Sequence, residues 1–376
     1  MGDLWYNKSM KILAIESSCD ETAAAVVEDG VRILSNVVVS QIDIFAEYGG
    51  VIPEVAARSH LEAILPVIHK ALGDAELTMD DIDVIAVTHT PGLLGSLLIG
   101  ILTARMLAIL WKKPLFAVHH LKSHIYANWL GREEVKECVI PEFPLVALVV
   151  SGGHTQIIYM QEHNKFEIIG TTRDDAVGEC FDKVAKVLGL PYPGGPSIAE
   201  CARRGDAKKY KLPHPQVEGL DFSFSGLKTA VLRAVQAELG VPINTPSFEL
   251  AEKLTEQQQA DFAASFQETA CEILLEKLKI ALRDHPEARS VVIAGGVSAN
   301  AVLREKVAEE LLGGSGTKMD KTDDLKTREL RVFFPEKRFA GDNAAMVGVA
   351  AYYEMLVGVE LTDPYALDIA PRSVIG

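Results

Sequence analysis

Two histidines lie four residues apart in the segment Val-His-His-Leu-Lys-Ser-His, at His120 and His124. On a helix this spacing places both imidazoles on one face, one turn apart, where two nitrogens can bind one metal ion. A third ligand from a distant part of the chain would complete an open site of the catalytic type. Asp342, in Phe-Ala-Gly-Asp-Asn-Ala-Ala-Met, is the candidate. The sequence therefore predicts metal-assisted chemistry.

The same pair of histidines also arises by chance in proteins that bind no metal. A zinc protease of the His-Glu-x-x-His type would carry its general base directly after the first histidine. Leu121 occupies that position, so the pattern disfavours a metalloprotease.

Glycine-rich turns provide candidate contacts for a nucleotide. The first, Ser151-Gly152-Gly153, follows an apolar run, and successive backbone N–H groups there can approach an anion. The second, Gly295-Gly296, precedes Asn300, whose amide can bond a base or sugar edge. Neither is a Gly-x-Gly-x-x-Gly fingerprint or a P-loop. The carboxylate-rich segment 174–186 and the turn at 192–196 would form one wall of a nucleotide cleft.

The composition excludes several classes of protein. The 376 residues are 48% hydrophobic and 24% charged, which is typical of a globular chain with two domains. A net charge of −15 argues against non-specific coating of nucleic acid. Five scattered cysteines without a Cys-x-x-Cys pattern indicate a reducing compartment. The strongest basic segment is either a solvated face or an RNA contact; it contains Arg203, Arg204, Lys208, Lys209 and Lys211.

Two similar hairpins organise the chain, each an apolar strand, a short polar turn and a returning strand. The first spans residues 11–27 and the second begins near Pro144, which suggests an internally duplicated architecture. We predict an N-terminal extension at 1–9, one domain at 10–130, a second at 144–341, and a helix at 342–356 that packs back on the first domain. A surface loop is predicted at 313–329.

The apolar stretch Leu93–Leu110 contains a serine, a threonine and an arginine, so it predicts a buried helix rather than a membrane span. Its small residues Gly95, Ser96 and Gly100 permit close approach of another helix. They pack either within the domain or against another subunit, and we expect a subunit interface there.

Nine motifs, in order from about Met10 to Tyr353, resemble the bacterial type of the tRNA N6-adenosine threonylcarbamoyltransferase family, formerly called O-sialoglycoprotein endopeptidases. They are Ile15–Thr22, Gly50–Glu54, His120–His124, Val150–Thr155, Phe181–Lys183, Tyr192–Pro196, Phe224–Lys228, Gly295–Val297 with Asn300, and Asp342–Asn343 with Met346. Each motif alone is weak, but their order is specific. The sequence departs at Thr90 and Gly341, where the family more often has glycine and threonine.

The resemblance implies an α/β fold of two actin, heat-shock-chaperone and sugar-kinase-like domains around a nucleotide cleft. It implies a cytoplasmic acyltransferase that uses threonylcarbamoyl-adenylate and tRNA, with no membrane. His120, His124 and Asp342 would hold one divalent ion, iron or zinc. A metal-less paralogous subunit and a small ATPase would be partners. The adenylate would contact Val149, Val150, Ser151, Gly152, Gly153, Asp182, Gly195 and Asn300.

Three alternatives remain open at this point. A carbamoyltransferase of related type would act on a small molecule and would need no basic surface. A kinase of the same fold would be expected to carry an aspartate-rich phosphate hairpin, whereas the first turn here begins Glu16-Ser17-Ser18. A non-catalytic scaffold would be free to lose the histidines, which this chain keeps.

Overall fold

A computed structural model describes residues 9–130, 140–215, 217–312, 325 and 328–372. The predicted extension and the loop at 313–329 therefore lie almost wholly outside the described residues. The strands are β1 (Lys11–Glu16), β2 (Glu21–Glu28), β3 (Arg32–Ser40), β4 (Val84–Thr90), β5 (Leu115–His119), β6 (Leu145–Val150), β7 (Thr155–Glu162), β8 (Lys165–Thr171), β9 (Ser290–Ala294) and β10 (Arg331–Phe333).

Helices fill the connections between strands. They are α1 (Ile42–Tyr48), α2 (Pro53–Asp74), α3 (Leu94–Trp111), α4 (His120–Tyr126), α5 (Val177–Leu188), α6 (Gly194–Ala202), α7 (Ser225–Glu238), α8 (Ser247–Ala251), α9 (Glu256–Asp284), α10 (Ala301–Leu312), α11 (Lys337–Ala340) and α12 (Ala344–Leu356). Among the described residues, the chain is thus a mixed α/β protein.

The two five-stranded sheets have the same strand order. The first runs β3-β2-β1-β4-β5 and the second β8-β7-β6-β9-β10, so each places its first strand at the centre. In both sheets the first three strands in the chain are antiparallel, the fourth pairs in parallel with the central strand, and the fifth pairs in parallel with the fourth. This repetition confirms the duplicated architecture expected from the two hairpins.

Three apolar clusters separate the layers. Helices α2 and α3 cover the outer face of the first sheet, and α5, α7, α9 and α10 cover the outer face of the second. Between the sheets lie α4 and α12, whose side chains share one core with residues of both. The central strands are buried on both faces, which explains their continuous apolar runs.

Helix α12 packs against the first sheet. A methyl group built on Gly348 would lie 2.8 Å from Val27 and 3.4 Å from Ala14, so only glycine permits this approach. Because α12 packs on this sheet, the residues just before it, including Asp342, lie near β1. The proposed domain boundaries themselves stay a prediction.

The packing of helix α3 contradicts the subunit interface that we predicted at its small residues. Ser96 is fully buried, Gly95 faces Ala57, and Gly100 lies against Ser17 within the same half. These residues serve intradomain packing, and the interface prediction at this face is wrong. The exposed side chains lie elsewhere on the helix; they include Leu94, Leu102, Met106, Ile109 and Leu110.

By length and composition alone, α3 passes as a candidate membrane span. However, 44% of its residues are buried within the protein, and Arg105 interrupts its apolar surface. Arg105 donates hydrogen bonds to the carbonyls of Pro364, Tyr365 and Leu367. These features fit a helix that packs on the sheet of a globular domain.

Candidate metal centre

Strand β5 ends at His119 and α4 begins at the next residue, which places both predicted histidine ligands on one short helix. The Nδ1 atom of His119 accepts from the N–H of Leu121 at 3.3 Å and caps this helix. The rings of His120 and His124 then lie 4.6 Å apart, one turn from each other. Both are buried, so their nitrogens are held away from bulk water.

Asp342 reaches the histidines from the segment just before α12. Its Oδ1 lies 3.1 Å from His124 Nε2 and 3.6 Å from His120 Nε2. The next residue, Asn343, caps α12 by accepting from Met346 N–H at 3.1 Å, which fixes where the loop ends. The three ligand atoms lie within 4.8 Å of one another. Two imidazoles and one carboxylate form a donor set that suits a divalent transition metal ion.

The charges of this group depend on one another. Burial opposes protonation of His120, but Asp342 and Glu16 outweigh it and raise its pKa to about 9. Burial likewise opposes ionisation of Asp342, yet the two histidines hold the pKa of its carboxyl well below its usual range. A carboxylate between two imidazoles therefore attracts positive charge, which either protons or a metal ion can supply.

The turn between β1 and β2 contributes groups that the list of predicted site residues omitted. Glu16 and Ser18 are buried against His120. Glu21 is half-buried, and burial together with the carboxylates of Asp342 and Asp20 raises its pKa to about 10. The sequence showed a turn rich in carboxylates and hydroxyls, but it did not show which of them contact His120, because that contact joins distant parts of the chain.

The second turn is open. The side chains of Val149 and Val150 are fully buried in β6, and the backbone of this strand pairs with β7 on one side and with β9 on the other, so the predicted adenylate contact at these two residues stays a prediction. The N–H of Ser151 donates to His154 O at 2.8 Å, so it is not the free phosphate donor we expected. Gly152 and Gly153 remain exposed, and a methyl group on either would meet no atom within 4 Å.

Gly195 lies at the start of α6, and Asp182 reaches this point from α5. Asp182 accepts from Gly194 N–H at 2.7 Å, and burial, with a smaller contribution from Asp20, raises its pKa. Gly195 has open space where a side chain would be. Burial and the carboxylates of Asp20 and Asp182 also raise the pKa of Tyr192. Asp20 of the first turn therefore lies close enough to Asp182 and Tyr192 to influence their ionisation.

Asn300 is engaged within the second half. Its amide donates to Gln267 Oε1 at 2.8 Å, and its Oδ1 accepts from Leu303 N–H at 3.2 Å, which caps α10. A sugar or base would have to share this side chain with the cap. Gly295 adopts a φ of 84° and lies against the Val150 backbone, so only glycine suits this position.

The predicted basic segment follows α6, and its five basic side chains are exposed; they are Arg203, Arg204, Lys208, Lys209 and Lys211. Arg203 pairs with Glu200 at 2.8 Å. A nine-residue helix such as α6 spans about 13 Å. The segment therefore begins roughly that far from the glycine turn at the other end of the helix.

Comparison with known proteins places the chain in a family. The profile of the family described as tRNA N6-adenosine threonylcarbamoyltransferase (TsaD) matches residues 32–349. A protein of that name from Symbiobacterium thermophilum is 49% identical over 93% of this chain and 92% of its own length. The chain belongs to the tRNA N6-adenosine threonylcarbamoyltransferase family.

Other relatives of the same name agree with this membership. The protein from Moorella thermoacetica is 46% identical over 92% of both chains, and that from Clostridium perfringens is 46% identical over 92% of this chain and 93% of its own. Membership confirms the resemblance drawn from the nine motifs. The chain is thus a transferase that modifies tRNA, and its α/β fold contains two five-stranded sheets of the same strand order.

Solved structures show weaker likeness. Component A of (R)-2-hydroxyglutaryl-CoA dehydratase from Acidaminococcus fermentans matches 93% of this chain and 100% of its own at 14% identity, with a TM-score of 0.48. YeaZ from Pseudomonas aeruginosa matches 42% of this chain and 64% of its own at 20% identity, with a TM-score of 0.29. The fold assignment rests instead on the family and on the repeated sheets.

Proposed function

We propose that this chain transfers the threonylcarbamoyl group from threonylcarbamoyl-adenylate to N6 of adenosine 37 in tRNAs that read codons beginning with A. The products are the modified tRNA and AMP. The observation that carries this proposal is the convergence of His120, His124 and Asp342 beside an open glycine turn, in a chain of this family.

The chemistry requires attack by a weakly nucleophilic exocyclic amine on the carbonyl carbon of a mixed anhydride. The N6–C bond forms, the C–O bond to the phosphate breaks, AMP departs as the phosphate anion, and one proton of the amine is released to solvent. A metal ion held by the three ligands would act as a Lewis acid towards substrate oxygens. The exposed backbone at Gly152 and Gly153 would bind the phosphate, and the N-terminus of α6 at Gly195 would favour its negative charge. Correct positioning supplies much of the rate, since AMP is a good leaving group.

We propose iron or zinc as the resident ion, because a site of two imidazoles and one carboxylate suits both. The measurement is the metal content of protein purified from its own cells without an affinity tag that binds metals. Apo-protein reconstituted with each metal in turn then shows which one restores transfer.

The test of the function is a transfer assay with purified chain, tRNA, synthetic threonylcarbamoyl-adenylate and the proposed partner subunits. Mass spectrometry of the digested tRNA should detect threonylcarbamoyl-adenosine at position 37. A tRNA with guanosine at position 37 is the matched control, since it lacks the acceptor amine. Turnover of the adenylate without any modified adenosine would contradict the proposal.

We further propose that a metal-less paralogous subunit covers an apolar face formed by α2 and α3. Five large apolar side chains are exposed on these two contacting helices: Leu61, Leu65, Leu102, Met106 and Leu110. Contiguous exposed apolar surface of this kind marks a protein interface. A small ATPase would bind the resulting pair.

Leu102→Glu tests this face, because a charge at the centre of an apolar interface is strongly unfavourable. Size-exclusion chromatography with the paralogous subunit should show loss of the complex. Ile243→Glu, at an exposed position of the other half, is the control. A complex that survives Leu102→Glu and is lost in Ile243→Glu would place the interface elsewhere.

For tRNA, we propose that the basic segment after α6 contacts the phosphate backbone and that the reaction takes place in the cytoplasm. The triple variant of Arg203, Arg204 and Lys208 to Glu should weaken tRNA binding at low salt, and the difference should shrink as salt rises. Three exposed lysines elsewhere serve as the control when changed to Glu: Lys70, Lys165 and Lys253. Equal weakening by both triple variants would show only a non-specific charge effect.

A further inference from the structure

The two ring nitrogens of His120 face different groups. Its Nε2 lies 3.6 Å from Asp342 Oδ1, on the side where the three candidate ligands converge. Its Nδ1 points away from that group and lies 3.1 Å from Oε2 of Glu16. A metal ligand whose second nitrogen donates to a carboxylate has a fixed tautomer and ring orientation.

Glu16 is held in place by its other contacts. It is fully buried at the end of β1. Its Oε2 accepts from the Thr88 hydroxyl at 2.6 Å, and its Oε1 accepts from the N–H of Ser18 at 2.5 Å. Strands β1 and β4 are parallel neighbours, so Glu16 and Thr88 end side by side at the same edge of the sheet. A carboxylate fixed by two donors presents its remaining acceptor site to His120 in one direction.

The second histidine ligand has no comparable support among the described residues. The Nδ1 of His124 is buried and has no hydrogen-bond partner there, while its Nε2 lies 3.1 Å from Asp342 Oδ1. The carboxylate of Glu16 therefore acts on one ligand of the pair. This asymmetry makes His120 the histidine whose orientation is determined by the first hairpin.

We propose that Glu16 is a positioning residue that keeps the proton of His120 on Nδ1 and leaves the Nε2 lone pair free for the metal ion. The role rests on the proposed function only in requiring that the site bind a metal. Ser18 Oγ, 3.2 Å from the same Nδ1, is a second polar neighbour that can also accept a hydrogen bond from this N–H. Glu16 itself touches neither substrate nor metal in this arrangement.

Replacement by glutamine separates the role of the carboxylate from that of side-chain volume. A glutamine has one acceptor oxygen and one donor amide. If the oxygen faces His120, the amide opposes the N–H of Ser18, and two donors meet. If the oxygen faces Ser18, the amide donates to Nδ1 of His120 and moves the ring proton to Nε2, which then cannot bind metal. Either arrangement weakens the site without creating a cavity.

The experiment measures zinc affinity of the full-length chain by competition with a chromophoric chelator, in the absence of tRNA and adenylate. Glu16→Gln should bind zinc roughly 10- to 100-fold more weakly than the wild type, the usual effect of losing such a partner. The matched control is Glu354→Gln, another buried glutamate beside α4, whose carboxylate pairs with Lys122 at 3.5 Å rather than with a ligand. The zinc affinity of Glu354→Gln should stay within about twofold of the wild type. This change is much smaller than the loss expected when a residue that hydrogen-bonds a metal ligand is replaced.

The tautomer gives a readout that a merely structural role would not change. Two-bond nitrogen–proton correlation spectra of the zinc-loaded wild type should show the His120 proton on Nδ1. Thr88→Val keeps the carboxylate but loosens it, so its zinc affinity should fall less than that of Glu16→Gln. If Glu16→Gln does not fold, as judged by circular dichroism, the Thr88→Val spectrum and affinity decide the question.

The outcomes separate the positioning role from the metal site. Equal zinc affinity and an unchanged tautomer in folded Glu16→Gln, or in Thr88→Val where the first does not fold, would overturn the role of Glu16 alone. Failure of the wild type to bind any divalent transition metal would overturn the metal site together with it.

Discussion

The first and second hairpin turns occupy equivalent places in two sheets of the same strand order, yet their chemistry differs. The first, residues 16–21, is packed from both sides. Ser17 donates to Ser96 O at 2.9 Å, and the carbonyl of Cys19 is contacted by His60 Nε2 at 2.9 Å and Ser96 Oγ at 3.1 Å. The second, residues 151–154, leaves two glycines exposed.

The difference shows that the two sheets provide similar backbones, and that the residues in each turn determine the chemistry of that turn. Hydroxyls and carboxylates fill the first turn, and two of them contact the candidate metal ligand His120, which gives a rigid support. Glycines in the second leave the backbone accessible, which gives a surface that a phosphate can approach. We therefore expect damage to the first turn to affect metal binding and damage to the second to affect substrate binding.

We expect the largest effect on metal binding and transfer from replacing His124, the candidate ligand that the first turn does not support. His124→Ala should lose the metal ion and reduce transfer by more than roughly 10- to 100-fold. That range is the usual effect of losing only a residue that hydrogen-bonds a metal ligand. The cause is that a three-ligand site rarely binds its ion with two ligands. Metal content and the tRNA transfer assay measure this.

His214→Ala, at an exposed histidine of the second half, is the matched control for that variant. A metal-free His124→Ala protein with full transfer activity would exclude any role of the ion in the reaction.

A pair of glycine substitutions compares the two turns directly. An added methyl group on Gly92 would lie 2.5 Å from Ser18 O, and one on Gly178 would lie 2.5 Å from Ser151 O. Overpacking of this kind costs about 1–3 kcal/mol, or roughly 5- to 150-fold if it falls wholly on binding. Gly92→Ala should weaken zinc binding, whereas Gly178→Ala should weaken binding of a stable adenylate analogue.

Chelator competition and isothermal titration calorimetry measure the two affinities on each variant. Gly73→Ala, in α2, where a methyl group meets open space, controls for loss of a glycine without a clash. If Gly92→Ala and Gly178→Ala weaken the same one of these two affinities, that result contradicts our inference that the first turn serves metal binding and the second serves substrate binding.

We expect the smallest effect, a change in the pH dependence of stability, at a contact between the two halves. His163, at the tip of the second half's β7–β8 hairpin, has its Nδ1 3.0 Å from the hydroxyl of Tyr126 and stacks on Tyr353 at 4.6 Å. Burial lowers its pKa from 6.5 to about 4. Between these values the unfolded chain binds a proton that the folded chain does not, so stability falls as the pH falls from about 6.5 to about 4.

His163→Gln keeps a polar partner for Tyr126 but cannot take up a proton. The decline of the melting temperature between pH 6.5 and pH 4 should therefore be shallower than in the wild type, with the difference absent above about pH 6.5. Differential scanning calorimetry across this range measures it, with His69→Gln at an exposed position as the control. An identical slope in His163→Gln and wild type would contradict the assignment.

Local patterns predicted much of this protein. The apolar strands on either side of polar turns predicted both hairpins, and their similarity predicted the duplicated sheets. The four-residue spacing of His120 and His124 predicted two ligands on one helical face, which α4 provides. These features depend on neighbouring residues, so the sequence contains them directly.

Other features depended on which surfaces meet. Because α3 is apolar around most of its circumference, its pattern did not show which face is buried, and the small residues turned out to pack on the hairpin turn and α2. The side chain of Asn300 looked available for a sugar but caps α10. Glu16 gave no sign in sequence of its partner His120, because a parallel strand and a later helix bring them together.

The sequence by itself determined the family and the two hairpins, and it indicated the three candidate ligands. The tertiary structure decided which atoms of those ligands converge, and it did so through the return of α12 to the first sheet, where Gly348 permits close contact with Val27. It also decided that one histidine is supported by a buried carboxylate and the other is not. The physical reason is that hydrogen bonds between distant residues require a packed core to fix both partners, and no local pattern encodes that packing.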